Sequence, residues 1–416
     1  MIKEIFSSPE NENFMFGYFD KSQISPCGNY YACQRITKLD EYYKRDEYVD
    51  IGYFQKNGNN FYKIDKSSAF NFQQGCMINW INYEGENSLI YNFFNDKSLN
   101  SKIYKVNLKK YNIVDFPIYA VSKDSNFFLT INFYNLYKFK RGYSYDFDLN
   151  YKSNYHTPDE LGIWMYNFKL KKLNKILSSE DLKVESKNHW IEHISISPDN
   201  FNFVFLLRKK MNDGGIQTTF YLSDINKTKL VKINNSGRAS HFNWFSKKNI
   251  IVYGGIENYT NKLRKSKFIQ GLPFIKILIK IYHKFISHNS TISKKITGDC
   301  YYILDINSLN HKRINSMRLN LEDGHPSIDT KFNKYLLTDL YSDLPNKKPK
   351  IIIFDLNLDK IIYEKEFDSI QKLDNSPYRC DLHPRFLDGQ LLFSIDCFVK
   401  NKRGFKVFEI NHEHLS

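Results

Sequence analysis

The 416-residue sequence predicts an all-β, seven-bladed β-propeller, a single domain over 1–416 with one basic amphipathic helical insert. Three observations point there. The first is a short grammar that recurs: a polar tip carrying a histidine, a turn, then an apolar strand. It reads Arg379-Cys380-Asp381-Leu382-His383-Pro384-Arg385-Phe386 before Leu391-Leu392-Phe393, and Asp323-Gly324-His325-Pro326-Ser327 before Tyr335-Leu336-Leu337-Thr338-Asp339. It reads Ser240-His241-Phe242-Asn243-Trp244 before Asn249-Ile250-Ile251-Val252-Tyr253, and His189-Trp190-Ile191-Glu192-His193 before Phe203-Val204-Phe205-Leu206. The second is a count: seven units follow one another every roughly 40 to 65 residues, each with three or four short strands, which is the period of a radial array. The third is composition: 34 Phe and 30 Tyr favour strands, and helical periodicity is almost absent outside the insert.

The first unit opens with Phe14-Met15-Phe16-Gly17-Tyr18-Phe19-Asp20, turns at Ser25-Pro26-Cys27-Gly28, and closes with Val49–Phe54. The second runs from Gln73-Gln74-Gly75-Cys76 through Ser88–Asn92 to Lys102–Val106. The third holds Ile118–Ser122, Phe127–Phe133 and Gly162–Tyr166, and carries the cationic aromatic loop Arg141-Gly142-Tyr143-Ser144-Tyr145. The fourth carries His189 and His193 and ends at Phe220–Ile225. The fifth carries His241 and resumes at Tyr301–Ile306. The sixth carries His325 and ends at Ile351–Asp355. The seventh carries His383 and ends at Phe405–Ile410.

The insert interrupts the fifth unit at 259–298. From Pro273 onward, Lys276, Lys280 and Lys284 share one helical face, and Phe274, Ile277, Leu278, Ile281 and Phe285 cover another. A basic amphipathic helix of this kind over 262–288 suits an anionic membrane surface, or packs on the propeller as a lid.

Composition narrows the function classes. Hydrophobic residues make up 42%, enough for a large core and against disorder. The formal net charge of +15 attracts anionic partners. No zinc finger, RNP-type strand or helix-turn-helix pattern directs that charge to nucleic acid, so no nucleic-acid partner is expected. There is no phosphate loop, GxSxG elbow or Rossmann fingerprint. The six cysteines are scattered without a CxxC pair, which fits reduced thiols. With no signal peptide and no uncharged apolar run long enough to span a bilayer, the expected address is cytoplasmic, at most peripheral to the inner membrane.

If the repeats are in register, the tips of the inner strands bring His189 or His193, His241, His325 and His383 to one mouth of the central channel. Arg379 and Arg385 flank the last, Asp323 and Asp381 sit nearby, and Gln74 and Tyr119 arrive from earlier blades. Imidazoles meeting in a cleft ligate zinc or manganese, or act as general bases; spacing does not separate the two roles. Arg208, at the end of the Phe203–Leu207 strand, suits a guanidinium clamp for a carboxylate. Beside it, His or Tyr would remove the α-proton of a uronic acid in a β-elimination. Trp190, Trp244, Tyr143 and Tyr145 are candidates for stacking on sugar rings.

Gly324-His325-Pro326 with Leu337-Thr338-Asp339-Leu340-Tyr341, and Asp381-Leu382-His383-Pro384-Arg385, resemble the GHP…TDxY and HPRxxxDG signatures of propeller-type polysaccharide lyases, the oligogalacturonate-lyase and ulvan-lyase types. The resemblance extends over about 14–410 apart from the insert, with blades of the WD40/TolB kind. It implies a histidine-bound divalent metal near the axis, zinc or manganese, with His241, His325 and His383 at the matching positions. It also implies catalysis by His or Tyr, beside an Arg that neutralises the uronate of an acidic glycan. The catalytic candidates are then His189, His193, Arg208 and Tyr119; the substrate contacts are Arg379, Arg385, Gln74 and Trp244. The motifs also resemble those of proteins from surface-polysaccharide gene clusters. The alternative is therefore a non-catalytic propeller scaffold in bacterial capsule or O-antigen biosynthesis, held at the membrane by its insert.

Overall fold

A computed structural model describes residues 2–95, 98–147, 160–211, 215–233, 238–255, 299–314, 323–341, 348–374 and 376–411. The helical insert expected at 259–298 lies outside the described residues.

Seven four-stranded antiparallel sheets follow the order of the sequence. Blade 1 is Asn13–Met15, Tyr30–Ile36, Val49–Gln55 and Tyr62–Ser67; blade 2 starts at Asn79–Tyr83 and ends at Lys110–Val114. Blade 3 runs from Ala120–Val121 to Lys172–Ser178, and blade 4 from His189–Ile196 to Leu230–Lys232. Blade 5 runs from Arg238–Trp244 to His311–Arg313, and blade 6 from Ser327–Ile328 to Lys360–Glu366. Neighbouring blades touch through their first strands, in blades 3 and 4, 5 and 6, and 6 and 7, so those strands line the axis. Both faces of each sheet are covered. The second strand of blade 6, Tyr335–Leu340, and that of blade 7, Leu392–Val399, are buried at every position. Strands of that kind read as continuous apolar runs, which is why the sequence betrays them.

Blade 7 is composite. Arg385–Phe386, Leu392–Val399 and Lys402–Ile410 take their outer strand from the chain's start, Ile2–Ser7, which pairs Ile2 with Ile410 and Ser7 with Lys406. Local pattern carries no sign of this, because the partner lies some four hundred residues away and the strand is mixed in polarity. A buried ion pair completes the closure. Asp396 accepts from the backbone N–H of Phe16 and Gly17 at 3.1 and 3.2 Å. Arg385 donates to Asp396 at 3.0 Å, to Gln23 Oε1 and Ser394 Oγ at 3.0 Å, and to the carbonyls of Gly17 and His383. Arg385, expected to touch substrate, is 2% exposed and spends its donors inside the ring closure.

One described excursion leaves the blades. Between the second and third strands of blade 3, helix α1 (Phe133–Phe139) is capped by Asn132, whose side chain accepts from Asn135 N–H. Phe133 and Leu136 face the core, and Phe139 stacks on Trp190 of blade 4 at 5.0 Å and 11°. The sequence reading has no helix here: seven residues carry too little period to be seen. Among the described residues, no helix is long and apolar enough to cross a membrane.

Candidate functional site

The inner strands bend as they reach one mouth of the channel. In blade 4 the pairing slips between Glu192 and Ser195, and His193 sits in the bulge at φ 53°. In blade 5 the slip falls between Ala239 and His241. His383 also has positive φ, 43°. A β-branched or bulky residue pays about 1–3 kcal/mol for such backbone, and it persists only where its surroundings enforce it. The bends turn side chains from consecutive blades onto the axis. Ring centroids lie 6.0 Å apart for His193 and His241, 4.4 Å for His241 and His325, and 4.3 Å for His325 and His383. Blade 1 fills the middle: Tyr18 meets His193, His383 and His325 at 5.1, 5.0 and 5.7 Å, and Phe19 meets His325 at 4.9 Å.

Carboxylates orient these imidazoles. Asp339 accepts from the His325 backbone N–H at 2.7 Å, from His325 Nδ1 at 3.0 Å, and from the His383 backbone N–H at 3.2 Å. Asp339 therefore fixes both histidine tips, and it leaves His325 Nε2 as the acceptor, which the Tyr341 hydroxyl approaches at 3.3 Å. Gly324 is required for this contact, since a Cβ there would lie 2.0 Å from the Asp339 carbonyl. Asp323 accepts from His241 Nδ1 at 2.8 Å and from Ser240 Oγ at 2.7 Å. Burial pushes the Asp323 carboxyl up, but the facing His241 and Arg238 outweigh it and hold the group down to about 2. An ionised Asp323 only accepts, so His241 carries its proton on Nδ1 and keeps a lone pair on Nε2. Burial also lowers the His241 imidazole below its ordinary value, against the pull of Asp323.

His383 is fully buried, and neither ring nitrogen has a partner among the described residues. Burial, then the neighbouring His325 and Arg385, keeps it neutral far below its ordinary range. Its ligand atoms group with those of His325 and Asp381, all within 4.8 Å of one another. Two imidazoles and a carboxylate suit a divalent transition metal, and the one ring nitrogen of His383 that carries a lone pair is an acceptor such an ion would satisfy. The expected trio was His241, His325 and His383; the structure groups Asp381 with the last two and stands His241 beside them.

A second cluster adjoins the first. Glu192 has no exposed surface, yet it accepts from Trp190 Nε1 at 3.0 Å, Lys140 Nζ at 3.1 Å and Arg208 Nε. Burial raises its carboxyl, and Arg208 and Lys140 outweigh burial to hold it well below the usual range. His193 Nε2 lies 3.4 Å from Glu192 and 3.5 Å from the Tyr18 hydroxyl; burial drives its imidazole down to about 3. Tyr119 accepts at its hydroxyl from the His193 backbone N–H at 2.7 Å and from Gln74 at 3.4 Å, joining blades 2, 3 and 4. Burial raises the Tyr119 phenol far above its ordinary value.

Not every candidate gathers here. His189 Nδ1 donates to the Glu185 carbonyl at 2.7 Å, on the first residue of its strand and outside the histidine ring. Trp244 is 7% exposed and its indole N–H reaches the Ser195 carbonyl at 3.3 Å, between blades 4 and 5. Arg379 does reach the mouth, with Nε 2.7 Å from Asp381 and its guanidinium 5.5 Å from the Tyr341 ring. Glu192 and Lys140 were missed. Glu192 had one legible signal, a carboxylate beside a histidine inside an otherwise apolar inner strand. Lys140 had none.

No protein-family model matches the chain, and no curated protein matches it. Solved structures do. The chain is similar to an oligogalacturonate lyase in complex with manganese, at a TM-score of 0.63 and 11% identity, over 100% of this chain and 94% of that one. A second oligogalacturonate lyase, from Vibrio parahaemolyticus, gives a TM-score of 0.61 and 7% identity over 99% and 94%. A prolyl endopeptidase structure matches at 0.50 and 9% identity, over 96% of this chain and 50% of that one. At such identities the likeness establishes the seven-bladed propeller and not the chemistry.

Proposed function

We propose that this propeller is a carbohydrate-active lyase that cleaves a uronic-acid-containing oligosaccharide or polysaccharide by β-elimination. The observation that carries the reading is the buried His325, Asp381 and His383 group beside three cations, Lys140, Arg208 and Arg379. The similarity to a manganese-bound oligogalacturonate lyase supports it. His325, Asp381 and His383 are the residues that would hold a divalent metal, which when bound supplies Lewis acidity toward a uronate carboxylate.

The protein's own groups cover the rest. The cations stabilise the negative charge that builds on the carboxylate as the adjacent α-proton leaves. His241 is the base we assign: it is neutral, its Nε2 lone pair is free of partners among the described residues, and Asp323 stabilises the imidazolium that forms. The proton passes from the α-carbon to Nε2, the C–H electrons form the double bond, and the β-oxygen leaves. That oxygen takes up a proton, for which the His241 imidazolium is the donor. His193 and Tyr119 then act as positioning residues, since both are buried and tied to each other.

The test is ultraviolet absorbance of unsaturated uronate when the protein, loaded with manganese or zinc, is mixed with oligogalacturonides and other uronate glycans. We expect turnover that falls by at least about a hundredfold in His241→Asn, the usual worth of a general base. We also expect chelation to abolish turnover and metal to restore it. A metal-loaded protein that cleaves none of these glycans sinks the reading.

A further inference from the structure

The excursion out of blade 3 does more than pack. It places Lys140 and Tyr143 at the mouth, opposite Arg379 of blade 7. Lys140 Nζ lies 3.6 Å from the centre of the Tyr143 ring, and Tyr143 meets His193 at 5.8 Å. The helix that leads into them, α1, is anchored by Phe139 on Trp190 and by Asn135 Nδ2 donating to the His189 carbonyl at 3.2 Å. The three cations of this mouth differ in what they have left to give. Arg208 is committed, with Nε on Glu192 and Nη1 on Thr218 Oγ1 at 2.8 Å. Lys140 spends one donor on Glu192 and its side chain is 28% exposed. Arg379 spends only Nε, on Asp381, and its side chain is 34% exposed. Its two terminal amino groups make no hydrogen bond among the described residues. The carboxylates these three cations contact are Glu192, shared by Lys140 and Arg208, and Asp381, held by Arg379. The two segments pack side by side: a Cβ on Gly142 would lie 3.8 Å from Pro377 Cβ, and Arg141 and Tyr378 both pack on the Tyr42 ring, at 4.6 and 5.0 Å.

We propose that Lys140, Tyr143 and Arg379 form a subsite for a single carboxylated sugar residue, in which Lys140 and Arg379 take the carboxylate and Tyr143 floors the ring. The proposal rests on the uronate reading above for the identity of its ligand. It deepens that reading: of the cations already given to the carboxylate, Lys140 and Arg379 select an acid over a neutral sugar, one carboxylate at a time.

Calorimetric titration of the full-length, metal-loaded protein with galacturonate and with its neutral methyl ester tests it. Neither ligand has a glycosidic bond to break, so binding is read apart from turnover. We expect the acid to bind at least about tenfold tighter than the ester, the worth of one partly exposed charge-assisted contact. Lys140→Met and Arg379→Met should each erase the preference, with circular dichroism unchanged and each variant brought to the same metal content before titration. Arg379→Met takes the cation from the buried Asp381, so Arg379→Lys, which keeps that charge and loses the guanidinium's two free amino groups, keeps the test valid if a methionine variant unfolds or loses metal. A preference that survives in Arg379→Met overturns the subsite and leaves the lyase reading standing. Wild-type protein that binds acid and ester equally overturns both.

Discussion

Asp339→Asn removes one charge from the centre of the fold and changes almost no volume. Asp339 holds the His325 imidazole at 3.0 Å and the backbone N–H groups of His325 and His383 at 2.7 and 3.2 Å. An asparagine keeps one accepting oxygen, so one backbone bond survives. With that oxygen at the Oδ1 position, His325 keeps a neutral acceptor at Nδ1, and the amide N–H₂ faces the His383 backbone N–H, donor against donor. The imidazole loses the charged acceptor that fixes its proton on Nδ1 and raises the basicity of Nε2, and the His383 tip loses its anchor. Loss of a carboxylate behind a histidine ligand costs 10- to 100-fold in metal affinity as a general expectation, about 1.4–2.7 kcal/mol. Stability falls as well, by about 1.5–3 kcal/mol for the lost charged acceptor. The assay is competition for manganese or zinc against a chromophoric chelator, with the urea midpoint measured in parallel. A variant that stays folded and binds metal as tightly as wild type would refute the reasoning, because Asp339 would then not set the imidazole.

The other expectations concern the scaffold and its protons. Arg385→Ala leaves Asp396 buried without its cation between blades 7 and 1, and should cost about 3–5 kcal/mol in the denaturant midpoint; a loss under 1 kcal/mol would show that the strand Ile2–Ser7 closes the ring unaided. Gly324→Ala drives a Cβ to 2.0 Å from the Asp339 carbonyl and 2.8 Å from Thr338 Oγ1, so both stability and metal affinity should drop, whereas a neutral result would mean the GHP tip has room to move. Acid should unfold the protein early. His193 (down to about 3), His241 and His383 are held neutral in the fold but protonate near 6.5 when unfolded, so the unfolded state binds more protons below that pH. Their contribution is complete above about 6.5 and is lost as pH falls toward 3, at about 1.4 kcal/mol per pH unit per proton. Urea midpoints that stay flat from pH 7 to 5 would contradict this.

The sequence by itself determined the wheel. A sheet covered on both faces needs unbroken apolar strands, and a propeller repeats that need seven times, so Phe203–Leu206, Tyr335–Leu337 and Leu391–Phe393 could be read without coordinates. The histidine tips were legible for the same reason: a register repeated blade after blade sends matching positions to one axis. Tertiary structure alone decided which donors face which. Asp381 joins His325 and His383 because the backbone turns at His383, and nothing in local spacing encodes that turn. Lys140 reaches Glu192 only because an excursion outside the repeat lies across the neighbouring blade. Arg385, read as a ligand contact beside the tip, is instead consumed where the ends of the chain meet. Repetition is written along the chain, while pairing across it depends on contacts whose partners are far apart in sequence.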